Sequence, residues 1–89
     1  MRLDLFLKNT HLLKKRSQAK KGIEFGRIKV NGNEAKPAYK IKIGDIVEID
    51  YETAVIKFQV IEIAEKPVKK AEQEKFVKLL LKERKELFE

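Results

Sequence analysis

Gly26 divides this chain into two stretches with different hydrophobic periods, and no single regular element can span that change. Before it, Leu3, Phe6 and Leu7 recur at helical spacing, and Leu12 and Leu13 extend or follow the same face. This predicts a first short helix over residues 3–8. Ser17 is a good N-cap, so a second helix is expected over about residues 18–25, burying Ala19, Ile23 and Phe25. Gly26 stands where a left-handed residue would stop it. After Gly26 apolar and polar residues alternate. Ile28 and Val30 oppose Arg27, Lys29 and Asn31, and Asn31-Gly32 is a two-residue hairpin signal. Pro37 confines residues 34–39 to an edge or loop. A turn at Gly44-Asp45 leads into a strand where Val47, Ile49 and Tyr51 alternate with Glu48 and Asp50. Residues 54–63, "AVIKFQVIEI", give the longest strand, and its phase slips from Ile56, Phe58 and Val60 to Ile61 and Ile63. Such a slip admits a bulge there. Two helices this short cannot stand alone. The expected fold is therefore α+β: a helical hairpin covering one face of a small curved antiparallel sheet.

Pro67 marks a second boundary, separating a domain over 1–66 from a C-terminal segment over 67–89. From Lys69 onward the pattern is helical, with Phe76, Val77, Leu80, Leu81, Leu87 and Phe88 forming a broad apolar stripe. Glu74 and Lys78 can pair across one turn. This amphipathic helix either docks on its own domain or meets a partner. Its seven cations are interleaved with five acids, so a basic membrane-lying face is not expected.

The charge is polarised along the chain. Net charge is +7, but residues 1–45 hold twelve Lys/Arg against four Asp/Glu, while 46–66 hold two against five. The first 27 residues alone carry Arg2, Lys8, Lys14, Lys15, Arg16, Lys20, Lys21 and Arg27 against Asp4 and Glu24. Clustering of this kind points to a polyanion, nucleic acid first. No apolar run approaches the roughly 20 residues of a membrane span. The absence of cysteine excludes disulfides and zinc-thiolate sites. There is no phosphate-cradling glycine loop, metal-spaced cluster or nucleophile elbow, and His11 is the only histidine. We expect no enzyme activity, no metal and no cofactor, and a cytoplasmic location.

The stretch "LKKRSQAKKG" breaks a local rule. A helix start carries partial positive charge and unsatisfied N–H groups, yet Lys14, Lys15 and Arg16 crowd the expected cap at Ser17. A phosphate at that point would accept hydrogen bonds from the helix end and from the cations. Lys20 or Lys21 extends this patch by one turn, and Arg27, Lys29 and Asn31 continue it along the next strand. Phe6, Phe25 and Phe58 read as core, leaving Tyr39 and Tyr51 as the only aromatics for stacking. Structured RNA recognised by phosphates and shape fits better than single strands read by base stacking.

The elements R-L-D at Arg2, R-S-x-A at Arg16, G-R-I-x-V-N-G at Gly26 and G-D at Gly44 occur in the order found in one family. Over about residues 1–63 the chain resembles the RNA-binding domain first described in ribosomal protein S-four, the alpha-L RNA-binding motif. The resemblance implies that the two helices and the following strand form the RNA surface. It assigns RNA contact to Arg2, Lys15, Arg16, Ser17, Lys20 and Arg27; the charge pattern adds Lys14, Lys21, Lys29 and Asn31, the last mainly a turn residue. Asp4 would orient a neighbouring cation or serve as a first-turn acid that suits the helix dipole. Stand-alone members of this size act on large ribosomal subunits, and the resemblance favours the ribosome-quality-control type. That implies ribosomal RNA and peptidyl-tRNA as partners, a tailing factor that recruits alanyl-tRNA as a third, and a monomeric, ribosome-associated protein. The alternatives are a recycling factor of the heat-shock-protein-fifteen type and an accessory subunit of an RNA-modifying enzyme.

Overall fold

The computed structural model describes residues 1–85. Two helices, α1 (Leu3–Asn9) and α2 (Arg16–Glu24), precede a five-stranded antiparallel sheet. Its strands are β1 (Ile28–Val30), β2 (Asn33–Glu34), β3 (Ile46–Asp50), β4 (Ala54–Val60) and β5 (Val77–Arg84), in the spatial order β2-β1-β3-β4-β5. A 3₁₀ helix, Lys70–Lys75, leads into β5. Leu3, Phe6 and Leu7 of α1 are fully buried and join Ala19 and Ile23 of α2 with Ile28, Val30, Val47, Ile49 and Val60 of the sheet in one core. The helical hairpin therefore covers one sheet face, as the change of period predicts. Burying a side chain such as Phe6 or Leu7 is worth about 1.5–3 kcal/mol.

Local signals set most of the boundaries. Helix α2 stops by a Schellman motif: the Arg27 N–H donates to the Gly22 carbonyl at 2.9 Å and the Gly26 N–H to Ile23 at 3.1 Å. Gly26 sits at φ 72°, which suits a residue without Cβ. The Asn31-Gly32 pair has φ values of 52° and 83°, the type I′ geometry that matches strand twist. It joins β1 to β2 in the register Val30↔Asn33. In β3 only Val47 and Ile49 are buried, as alternation requires.

Four expectations are corrected. Ser17 is not the cap: α2 begins two residues earlier, with Lys15 as N-cap and Arg16 as its first residue. A lysine side chain offers no acceptor, and the capping contact runs the other way, from the Lys15 N–H to the Gln18 side chain at 3.2 Å. Phe25 is not core but 76% exposed. It lies two residues past Ile23, about 200° around the helix from the buried face.

The expected helix after Lys69 is instead the 3₁₀ turn and β5, and Leu87 and Phe88 of its stripe lie outside the described residues. Without β5, strand β4 would be an edge with a full row of unpaired N–H and C=O groups. β5 satisfies that row over its length, pairing Val77 with Val60 and Leu79 with Phe58. A partner in space outweighs the helix propensity of the leucines. The described part of 67–89 thus completes the sheet of the preceding residues. Finally, β5 and not β4 is the longest strand, and the register shift falls opposite Lys57 and Phe58, leaving Leu80 as the extra residue.

Candidate nucleic-acid interface

The cations at the start of α2 are answered from α1. Asp4 stands in the first turn of α1, fully buried, and its Oδ1 accepts the Leu5 N–H at 2.8 Å. Arg2, the residue before that helix, donates through Nε to Oδ1 at 3.2 Å and through Nη2 to Oδ2 at 3.3 Å. Arg16 donates through Nε to Oδ2 at 3.2 Å. One carboxylate with no solvent exposure thereby holds two guanidinium groups whose side chains remain 46% and 43% exposed. Both terminal nitrogens of Arg16 and one of Arg2 stay available, and a guanidinium fork fits a phosphate with two parallel bonds. Asp4 supplies one negative charge to two positive ones, so the cluster keeps a surplus.

Lys14, Lys15 and Ser17 are exposed around this cluster, and Lys20 lies one turn along α2 from Arg16 on the same flank. The other predicted residues separate from it. Lys21 and Arg27 line an open groove of about 740 Å³ together with Phe25, Gly22, Ile28 and Tyr51. Lys29 stands on the outer face of the sheet, directly opposite Glu34 on one side and Glu48 on the other. Glu48 in turn pairs with Lys57 at 3.5 Å. Asn31 donates to Asp45 Oδ1 at 3.1 Å and accepts the Ile46 N–H at 2.9 Å, so its side chain pins the I′ turn to β3.

Of the two tyrosines, Tyr39 donates its hydroxyl to Asp45 at 3.0 Å. Burial, and then the Asp45 hydrogen bond, pushes its pKa up. Tyr51 donates to the Leu12 carbonyl at 2.7 Å, and burial raises its pKa to about 12. Both hydroxyls are therefore committed inside the fold. His11 adopts φ 62° just past α1 and turns its ring nitrogen onto the Val68 carbonyl, a structural use of the lone histidine. Phe25, expected in the core, is instead exposed and lines that groove. Its signal was present: the stop glycine follows it directly, which places it off the buried stripe.

Comparison with known proteins bears on the family and the fold. A family model described as the S4 domain matches residues 1–47. The RQC P-site tRNA stabilizing factor of Bacillus subtilis is 39% identical over 85 residues, covering 96% of each chain. The factor of the same name from Listeria innocua is 39% identical over 84 residues, covering 94% of this chain and 90% of that one. Among solved structures, the trimeric heat shock protein 15 of Vibrio cholerae superposes with a TM-score of 0.83 at 23% identity. It covers 90% of this chain and 81% of that one, and shows the same fold.

Proposed function

The chain belongs to the S4 domain family, and from that premise we propose that it is a non-catalytic RNA-binding factor of ribosome quality control. It acts in the cytoplasm on large ribosomal subunits, binding ribosomal RNA and stabilising the tRNA that still carries a stalled nascent chain. With that tRNA held, a partner that delivers alanyl-tRNA extends the chain at its C-terminus.

The observation that carries the reading is the Arg2–Asp4–Arg16 cluster. Two guanidinium groups fixed by a buried acid lose less side-chain freedom on binding a phosphate than free arginines would. Lys14, Lys15 and Lys20 add point charges that track a backbone, and the Ser17 hydroxyl is exposed beside them. Lys29 and Asn31 contribute less, because acids flank the first and the second is bonded into the turn.

The test is co-sedimentation with large subunits bearing peptidyl-tRNA. Arg16→Ala is expected to lose association while its circular dichroism stays native; a folded Arg16→Ala protein that sediments normally overturns the assignment. With about five phosphates engaged, affinity for duplex RNA falls with a log–log salt slope near −4 to −5.

A further inference from the structure

We propose that Phe25 is a stacking platform for an unpaired nucleobase, with Lys21 and Arg27 holding the phosphate next to it. The inference rests on the RNA-binding reading and adds a second contact, of a different chemistry, to the phosphate grip of the arginines. Phe25 is the most exposed large apolar side chain among the described residues, at 76%. Its backbone is fixed: it is the C-cap of α2, its N–H bonded to the Lys21 carbonyl at 2.9 Å, with the Schellman turn closing behind it. An aromatic ring presented on a rigid stop loses little entropy when something flat packs on it.

The surroundings select what that is. Ile28 and Ile49 give the groove an apolar part, while Lys21 and Arg27 line the same groove as Phe25 with two cations. Of the two acids that also line it, Asp50 pairs with Lys85, and Glu52 has no ion-pair partner among the described residues. The surplus on the Lys21–Arg27 side suits an anion joined to a flat apolar body, which is the description of a nucleotide. An apolar protein side chain would cover Phe25 but leave that surplus positive charge without a counterpart. Helix geometry adds a spacing: Arg16 and Phe25 are nine residues apart, about 13.5 Å along α2.

The experiment uses the full chain and two synthetic RNAs, a fully paired duplex and the same duplex with one unpaired purine at its end. Loss of one base stack weakens binding about five- to 150-fold. Phe25→Ala should weaken the overhang RNA by that amount and change the paired duplex less than twofold. Phe25→Trp should retain affinity for the overhang RNA, and its fluorescence should be quenched by that RNA but not by the duplex. Equal losses on both RNAs, no loss on either, or unresponsive Phe25→Trp fluorescence would overturn the proposal, the second result pointing to a protein partner at this ring. Arg16→Ala separates the two readings. If it weakens both RNAs while Phe25→Ala weakens neither, the stacking site fails alone. If Arg16→Ala weakens neither RNA, it is the phosphate grip beneath it that fails.

Discussion

The two ends of α2 present their functional groups by opposite means. At its start, Arg16 is mobile by chemistry, a long flexible chain, and is held by a buried partner on another helix, Asp4. At its finish, Phe25 is rigid by its backbone and is held by nothing beyond the Schellman hydrogen bonds of its own turn. A tertiary contact positions the first and a local one positions the second. The start should therefore be sensitive to changes far away in sequence, and the finish only to changes beside it.

The largest way to break that contrast is Asp4→Asn. It leaves Arg2 and Arg16 without their common anion, and hydrogen bonds to a charged group contribute about 1.5–3 kcal/mol. We expect a loss of about 2 kcal/mol in urea melts and at least a tenfold loss of affinity for paired RNA, with Phe25 chemistry untouched. Retained affinity in the folded variant would mean that the arginines need no clamp.

Gly26→Ala tests the other end. At φ 72° a Cβ is strained, and it would also meet the Glu34 carboxylate at 2.6 Å, so one flexible side chain has to move. The expected cost is about 1–2 kcal/mol. Binding of an RNA with an unpaired end should weaken, while paired duplex binding stays within twofold. A matching loss on both RNAs would show that the two ends are coupled.

The smallest effect concerns Tyr51, which walls the Phe25 groove and ties β3's exit to Leu12. Burial raises its pKa to about 12, above the ordinary value of 10. Between pH 10 and 12 the unfolded chain releases that proton and the folded one keeps it, so the stability present below pH 10 declines as pH rises. Thermal melts across that window should fall less steeply for Tyr51→Phe than for the parent. Below pH 10 that variant loses about 1 kcal/mol with its hydrogen bond.

Legibility followed the same division. The stop at Gly26, the I′ turn at Asn31-Gly32 and the inward Val47 and Ile49 are encoded within a few residues, and each was readable. The anomaly of Lys14, Lys15 and Arg16 was readable too, as was a role for Asp4 in orienting a cation. That one carboxylate would serve both Arg2 and Arg16 was not, because twelve residues separate Asp4 from Arg16. Phe25 was misread because an aromatic near a buried stripe looks like part of it, although two residues past Ile23 is about 200° around the helix.

By itself the sequence determined the two helices, the turns, the alternating strands and the concentration of positive charge, since backbone conformation and short-range periodicity decide these. Only the tertiary structure decided that "VKLLLKER" is a strand, because leucines suit either period and the open row of hydrogen-bonding groups on β4 made the choice. It likewise decided which cations gather around Asp4 and which around Phe25. Charge can be counted along a chain, but its effect depends on distance in space, and folding sets that distance.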